Sequence, residues 1–189
     1  MHATFLKSAV RVEDLPIGDK AQIAMLGRSN VGKSSLLNHL VDQKGLARVS
    51  ATPGRTQTIN LFDVDKRFFL VDLPGYGYAK TSKAKRVAFE GLLNDYLNQA
   101  QNLKLALVII DARHGPLDID REMFAFLHQI QIPFAIIANK IDKLTKSDSA
   151  ALTRKLGTDF PGVTVILHSN LTNKGQGEIR QTIERAIAG

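Results

Sequence analysis

The feature that most constrains the fold is a glycine-rich segment between an apolar stretch and a helix-like one. Residues 27–34 read Gly-Arg-Ser-Asn-Val-Gly-Lys-Ser and follow the apolar stretch at 21–26. The spacing fits the P-loop pattern of Gly, four residues and Gly-Lys-Ser. Its glycines permit backbone conformations in which successive amide N–H groups surround phosphate oxygens at the start of a helix. The segment therefore predicts a phosphate-binding loop in an α/β fold.

Two side chains of this loop have specific predicted roles. Lys33 is expected to reach the β- and γ-phosphates and to assist catalysis, and the Ser34 hydroxyl is expected to ligate Mg²⁺. The alternative is a glycine-rich turn with an exposed lysine, which the strand before and the helix after make less plausible. The predicted phosphate-binding residues are Gly27, Arg28, Ser29, Asn30, Val31, Gly32, Lys33, Ser34 and Ser35.

A second segment is Asp-Leu-Pro-Gly at 72–75, which ends an apolar stretch at 67–71. Asp72 is expected to hold Mg²⁺ through water, opposite the P-loop serine. Gly75 has no side chain to keep its amide from the γ-phosphate, so loss of that phosphate would release the loop beyond it. Leu73 and Pro74 complete this nucleotide-binding turn. The alternative is a strand capped by a type II turn.

A third segment, Asn-Lys-Ile-Asp at 139–142, follows an apolar stretch and predicts which base is bound. Guanine presents two donors, N1–H and the exocyclic amine, that the single carboxylate of Asp142 can accept together, and adenine presents no such pair. Asn139 is expected to bond the N7 side of the purine and to tether neighbouring loops. The stem of Lys140 is expected to cover one face of the ring, with Lys143 nearby. Alone, the segment could be an ordinary polar loop; behind a P-loop it predicts guanine.

Between the first two segments, residues 43–60 form a long stretch rich in Gly, Pro and Thr. Long loops in compact domains are usually functional or disordered, and this one is expected to be ordered by a triphosphate. Thr52, Thr56 and Thr58 could each supply a second hydroxyl to Mg²⁺, and the residues alone leave that choice open.

The remaining pattern predicts one doubly wound α/β domain at 21–189, with a lead at 1–20 packed on it. Expected strands lie at 21–26, 59–64, 67–71, 104–110, 133–138 and 163–168, and expected helices at 33–42, 83–100, 118–130, 147–157 and 175–187. Alternating strands and helices imply a three-layer P-loop NTPase fold. Its six-stranded sheet is mostly parallel with one antiparallel edge strand, and helices cover both faces. The carboxyl ends of the strands would bring the motifs to one rim.

Three longer segments of the chain are Gly-Arg-Ser-Asn-Val-Gly-Lys-Ser-Ser-Leu, Thr-Pro-Gly-Arg-Thr-Gln-Thr-Ile-Asn-Leu-Phe, and Val-Asp-Leu-Pro-Gly-Tyr-Gly-Tyr-Ala-Lys. Together they resemble the EngB family of bacterial ribosome-assembly GTPases. The likeness begins in the lead, at Phe-Leu-Lys-Ser-Ala, and runs to the last helix. It implies a Ras-like G domain that hydrolyses GTP with Mg²⁺, acts in assembly of the large ribosomal subunit and supports normal cell division.

The same resemblance assigns further site residues. It makes Thr56 the Mg²⁺ and γ-phosphate sensor, with a part in catalysis, and 168–170 the loop whose backbone contacts the guanine oxygen. Members of that family commonly read Phe-Ser-Ser at 168–170, and many carry Thr at 139, so the contacts around the base are expected to differ in detail. The residues added are Gly54, Arg55, Thr56, Gln57, Thr58, His168, Ser169 and Asn170.

The residue after the Asp-x-x-Gly turn bears on the rate of hydrolysis. Ras-like enzymes place Gln there to orient the attacking water, and this chain has Tyr76. A phenol does not supply the paired donor and acceptor of an amide, which predicts slow intrinsic hydrolysis; Tyr76 could equally be a packing residue. The resemblance implies that Asn30 helps to bind K⁺ beside the phosphates. The alternative for Asn30 is a residue that tolerates an unusual backbone angle.

Composition limits the remaining classes. The 189 residues, 44% of them hydrophobic, suit one domain with a sizeable core. The chain has no cysteine, which excludes disulfides, thiolate zinc sites and a thiol nucleophile. Its longest apolar run, 105–110, is too short to cross a bilayer. The five histidines lack metal-ligand spacing and are interpreted as surface or core residues. We expect a cytoplasmic monomer without membrane contact.

The positive charge is unevenly distributed. The net charge is +7, and two stretches without an acidic residue, 43–62 and 73–89, hold seven basic residues between them. They are Lys44, Arg48, Arg55, Lys80, Lys83, Lys85 and Arg86. A basic surface formed by the nucleotide-sensitive loops suits a polyanion such as ribosomal RNA. The alternative is that these side chains serve the triphosphate or are merely solvated.

The sequence thus predicts a GTP-binding switch with slow hydrolysis that acts on a precursor of the large ribosomal subunit. A second candidate is a nucleotide-gated RNA or protein binding module whose hydrolysis is incidental. A third is a P-loop small-molecule kinase, but it predicts adenine selectivity and an acceptor site, and Asp142 argues against both.

Overall fold

The structure, a computed structural model, describes residues 1–16, 18–47, 58–77 and 83–189, without the side chains of 83–87 and 89. Within these ranges, seven strands and five helices form a single sheet with helices on both faces. The strands are β1 Ala3–Ala9, β2 Ala21–Gly27, β3 Ile59–Val64, β4 Phe68–Asp72, β5 Leu103–Asp111, β6 Phe134–Asn139 and β7 Thr164–Leu167. The helices are α1 Lys33–Leu40, α2 Lys83–Gln99, α3 Asp118–Gln129, α4 Lys146–Asp159 and α5 Gln176–Ala188.

The strand order is β1-β3-β4-β2-β5-β6-β7. β2 and β4 to β7 pair in parallel, whereas β3 is antiparallel to both of its neighbours. The predicted α/β class and the antiparallel edge of the sheet are confirmed. The predicted strand count of six is wrong, because part of the predicted lead pairs with β3 as β1. Only the two ends of β1 are buried, so it has little of the apolar alternation that marks a strand.

The core lies on both faces of the sheet, and β5 shows why its central strands are continuously apolar. Residues 105–110 are all buried, and alternate side chains belong to two separate apolar clusters. One cluster is completed by α2, α3 and α4, and the other by α1 and α5. A parallel strand covered on both faces must be apolar throughout. Among the described residues, no helix is both long and apolar enough to cross a membrane.

The register of the parallel strands brings the predicted motifs to one rim. Gly27 pairs with Ile109, and Asp111 pairs with Asn139, at the carboxyl ends of β2, β5 and β6. Gly27 has a φ of +150°, and a Cβ there would lie 2.5 Å from the carbonyl oxygen of Ile109. Only glycine therefore lets the chain leave β2 in this direction.

Candidate nucleotide-binding site

The glycine-rich loop connects β2 to α1 in the predicted arrangement. Gly32 precedes the first residue of α1 with a left-handed φ of 101°, and Asn30 also adopts a left-handed φ, of 67°. Both left-handed residues bend the loop just before the N-terminus of α1. An anion is favoured at such a helix N-terminus. The angle of Asn30 agrees with its predicted backbone role; its role toward K⁺ stays a prediction.

Lys33 and Asp72 form a partly desolvated pair beneath this loop. The Lys33 ammonium donates to the carbonyl oxygen of Gly27 at 3.2 Å. Burial lowers the pKa of Lys33, and the charge of Asp72 opposes that effect. Burial likewise raises the pKa of Asp72, while Lys33 and a hydrogen bond from Asn60 oppose it. Each charge thus stabilises the other in a site poor in water.

One oxygen of Asp72 has no partner among the described residues. The side chain is 3% exposed, yet its Oδ1 accepts no hydrogen bond there. Buried polar atoms are almost always satisfied, so an unpaired carboxylate oxygen indicates an absent ligand. Carboxylate and hydroxyl oxygens are ligands that Mg²⁺ prefers, directly or through water. Asp72, with Ser34 on the adjoining helix, therefore fits Mg²⁺.

The Asp-x-x-Gly turn packs directly against the P-loop. A Cβ on Gly75 would lie 3.1 Å from the Lys33 ammonium nitrogen and 3.1 Å from the amide nitrogen of Ser29. The next residue, Tyr76, forms a parallel backbone bridge with Arg28. A side chain at position 75 would crowd the phosphate loop at this distance, which glycine avoids.

The side chain of Tyr76 is hydrogen-bonded to a buried carboxylate on α3. Its hydroxyl donates to Asp120 Oδ1 at 2.9 Å, and Arg28 Nε donates to Asp120 Oδ2 at 3.1 Å. Burial, and then Asp120, raises the pKa of Tyr76 well above its usual value, so the phenol stays neutral. Of the two roles left open for Tyr76, the structure favours packing. The role of Asp120 was missed, since an acid in the first turn of a helix is ordinarily only a dipole partner.

The Asn-Lys-Ile-Asp segment is bound to the P-loop by two side chains. The Asn139 amide donates to the carbonyl oxygen of Val31 at 2.8 Å, which is the predicted tether. The Lys140 ammonium donates to the carbonyl oxygen of Asn30 at 2.6 Å and to Asp111 at 2.9 Å. The lysine stem therefore bridges the base loop and the phosphate loop.

Asp111 is a site residue that the sequence reading missed. It ends β5, is 4% exposed and binds both Lys140 and Arg113. Burial favours its neutral form, but the hydrogen bonds from Arg113 and Lys140 outweigh burial and lower the pKa of Asp111 well below its usual value. A carboxylate at the end of a buried parallel strand was the available signal, as it was for Asp72.

Asp142 is oriented by Ser169, from the loop after β7. The Ser169 hydroxyl donates to Asp142 Oδ1 at 2.7 Å and accepts from the amide of Leu171 at 3.2 Å. The hydrogen bond from Ser169 lowers the pKa of Asp142. The other oxygen, Oδ2, lies 3.7 Å from the ammonium of Lys143, which is also a predicted site residue. The sequence analysis predicted only that the backbone of 168–170 contacts the guanine oxygen. The structure adds a role for the Ser169 side chain, which orients Asp142.

Further predicted residues meet at a cavity beside α1. Ser35 and Asn170 line it with His39, and its volume is about 540 Å³. Oδ1 of Asn170 is buried and has no partner within the described ranges, a second unpaired oxygen near the predicted base site. His168 is fully buried and contacts Asn139 and His39. It is therefore a polar element of the site rather than a filler of the core.

Several predicted residues lie outside the described ranges. Thr58 is described, and its hydroxyl donates to Asn60 Oδ1 at 3.3 Å, so the choice among the three threonines stays open. Of the seven basic residues, only the side chain of Lys44 is described, and it is exposed. Those outside are Arg48, Thr52, Gly54, Arg55, Thr56, Gln57 and Lys80, together with the side chains of Lys83, Lys85 and Arg86.

Known proteins share both the sequence and the fold. The profile of a family described as "50S ribosome-binding GTPase" matches residues 22–140. "Probable GTP-binding protein EngB" of Lactobacillus acidophilus is 41% identical over 185 residues, which cover 96% of this chain and 94% of that protein. The protein of the same name from Pelotomaculum thermopropionicum is 42% identical over 189 residues, covering 98% and 96%. A crystal structure of "a probable GTP-binding protein engB" is similar in fold, with a TM-score of 0.72, 24% identity and coverage of 89% and 99%.

Proposed function

The chain belongs to the EngB family and is a GTPase, and on this premise we propose that it is a slow GTP-controlled switch in assembly of the large ribosomal subunit. The main observation behind this proposal is that Lys33, Asp72 and Asp142 lie at the same rim of the sheet. Lys33 supplies a cation for the phosphates, Asp72 a carboxylate for the metal ion, and Asp142 a carboxylate that recognises the base. We place the protein in the cytoplasm as a monomer and extend its role to normal cell division.

The nucleotide spans the rim from the P-loop to the loop after β7. The amides of 27–35 and the Lys33 ammonium hold the phosphates. Asp142 accepts from the guanine edge, and Asn139 bonds the N7 side. Mg²⁺ would be held by the Ser34 hydroxyl and, through water, by the unpaired Oδ1 of Asp72, and Thr56 would be a further ligand. When bound, the ion neutralises charge on the phosphate oxygens.

Hydrolysis is attack of water on the γ-phosphate, which yields GDP and inorganic phosphate. Lys33 and the P-loop amides stabilise the charge that develops on the phosphate oxygens, and the amide of Gly75, which packs against the P-loop, is proposed to join them. Tyr76 is engaged with Asp120, so no side chain directly after Gly75 orients the water. Hydrolysis is therefore slow without a partner. K⁺ beside Asn30 would supply further positive charge.

The Ser34→Ala variant is expected to weaken Mg²⁺-dependent GTP binding more than GDP binding, because the ion would offset more negative charge on a triphosphate than on a diphosphate. We expect roughly a tenfold loss for GTP, the size of one strong polar contact. Equilibrium titrations with and without Mg²⁺ measure it. Ser149→Ala on α4 is the control, and equal losses for GTP and GDP would show that Ser34 is not a metal ligand.

The basic residues of 43–62 and 73–89 support a polyanionic partner. Ribosomal particles incubated with the protein, loaded with GDP or a non-hydrolysable GTP analogue, test this across a salt series. Binding that depends on the nucleotide and weakens as salt rises supports the proposal. The Lys80→Glu/Lys83→Glu variant should lose binding, and Lys146→Glu/Lys155→Glu on α4 should retain it. Absence of binding in both nucleotide states would contradict the proposal.

Single-turnover hydrolysis separates the switch from the second candidate, the binding module. Acceleration by ribosomal particles, and by K⁺ relative to Na⁺, supports a switch that hydrolyses GTP at its target. An unchanged rate, with docking still controlled by GTP, favours the binding module, to which the engagement of Tyr76 with Asp120 also lends support.

A further inference from the structure

A chain of hydrogen bonds, buried at its inner end, runs from the base-binding segment to α1 through two histidines. His168 Nδ1 lies 2.9 Å from Asn139 Oδ1, and His168 Nε2 lies 2.9 Å from His39 Nδ1. His39 Nε2 lies 2.9 Å from the side-chain amide of Asn173. Asn139 and His168 are 1% and 0% exposed, so water does not compete for the bond between them, whereas the contact of His39 with Asn173 is exposed. Four side chains from three segments are thereby joined in series.

Backbone groups determine which way the Asn139 amide faces. The amide N–H of Lys140 donates to Asn139 Oδ1 at 2.8 Å, and Asn139 Nδ2 donates to the carbonyl oxygen of Val31 at 2.8 Å. A backbone N–H can only donate and a carbonyl oxygen can only accept, so the two ends of the amide are identified. His168 Nδ1 faces the oxygen end and must therefore carry a proton.

The proton on Nδ1 determines the rest of the chain. Burial, and then His39, lowers the pKa of His168 to about 4, so the ring is neutral at physiological pH, with Asp142 as an opposing influence. A neutral imidazole protonated at Nδ1 accepts at Nε2, so His39 must donate from its own Nδ1. The structure places Asn173 Oδ1 at the outer nitrogen of His39, and a flip of that amide would place its nitrogen there instead. A proton donated from His39 Nδ1 matches the His168 tautomer that serves Asn139.

The amide of Asn139 is also confined by the P-loop. Gly32 has a left-handed φ of 101°, and a Cβ on it would collide with Asn139 Nδ2. The amide nitrogen therefore lies directly on the phosphate loop, where one hydrogen serves Val31 and the second is left for a ligand. Under the proposed function that ligand is the purine, whose N7 is an acceptor.

We propose that His168 and His39 are positioning residues for base recognition, because they hold the Asn139 amide with its nitrogen toward the purine N7. The proposal rests on guanine-nucleotide binding at this site. In this proposal neither imidazole contacts the nucleotide, and both histidines act through Asn139.

The test compares GDP with 7-deaza-GDP, which lacks the N7 acceptor, by equilibrium titration. The wild-type protein should prefer GDP by roughly five- to tenfold, the size of one hydrogen bond. In His168→Gln, which loses the Nδ1 donor, the preference should fall below about twofold, and His168→Asn, whose amide nitrogen can replace Nδ1, should retain more of it. His114→Gln, at an exposed histidine, is the matched control. A preference unchanged in His168→Gln would overturn the proposal.

A second measurement uses the wild-type protein alone, without a nucleotide and without any variant. Long-range ¹H–¹⁵N correlation spectra of the wild-type protein at neutral pH should show His168 as the neutral tautomer protonated at Nδ1. The Nε2-protonated tautomer, or titration like that of a free histidine, would overturn the proposal. If the wild-type protein does not bind GDP, the proposed function fails instead, and the tautomer still reports on the histidine pair by itself.

Discussion

The Asp142→Asn variant is expected to lose GTP affinity by roughly a hundredfold or more, since a charge-assisted pair of hydrogen bonds to the base is removed. Affinity for XTP should rise in the same variant. The Ser169 hydroxyl already accepts from the amides of Leu171 and Thr172, so it must donate to position 142. The carbonyl of the new amide would take that bond, and its NH₂ would face the base. Xanthine carries a carbonyl where guanine has its amine, so it should be preferred.

Competition of GTP, XTP and ATP against a fluorescent GDP analogue measures this reversal. Asp95→Asn, at an exposed carboxylate on α2, removes the same charge away from the site and should leave the order of preference unchanged. If the Asp142 variant keeps its preference for GTP, Asp142 does not read the base. If ATP displaces GDP from the wild-type protein as readily as GTP does, the guanine assignment as a whole is wrong.

The Lys33→Met variant is expected to hydrolyse GTP in single turnover about a hundred- to a thousandfold more slowly, the loss typical of one group that stabilises developing charge. Methionine preserves much of the stem volume, so the change isolates the ammonium. Its removal also takes away the cation that opposes the effect of burial on Asp72, so the pKa of Asp72 should rise further. An ionised Asp72 is needed to hold Mg²⁺, and GTP binding should weaken as well.

Rapid-quench measurement of phosphate release at saturating GTP separates the loss in rate from the loss in binding. Lys146→Met, at the exposed start of α4, controls for the general effect of the substitution. Thermal unfolding without nucleotide shows whether the Lys33 variant folds. A folded variant whose single-turnover rate stays within tenfold of wild type would remove Lys33 from the catalytic assignment.

The local parts of the fold were predictable because they depend on neighbouring residues. The predicted strand at 21–26 is observed as Ala21–Gly27, and the predicted helix at 175–187 as Gln176–Ala188. The strand is a short continuous run that is buried on both faces, and the helix has apolar residues every four positions, of which Ile179 and Ile183 are buried. β1 was missed because its five central residues are exposed, so edge pairing with β3 rather than apolar patterning stabilises it.

The candidate site was predictable where a motif specifies a backbone conformation or the end of a strand. Gly27, Gly32 and Gly75 are such positions, since a side chain at any of them would crowd a neighbouring group. Asp111 and Asp120 were missed although both are buried at the rim. Their partners, Lys140 and Tyr76, are distant in sequence, and no periodicity links such residues.

The sites for phosphate, metal and guanine could be predicted from short segments, because glycine angles, strand ends and the chemistry of Lys33, Asp72 and Asp142 are local properties. How these groups are held depends on the assembled fold: the Tyr76 hydroxyl donates to Asp120, and the Asn139 amide contacts both the P-loop and His168. A hydrogen bond between residues distant in sequence depends on how the helices pack on the sheet. The positions of the helices are in turn determined by the packing of the whole core.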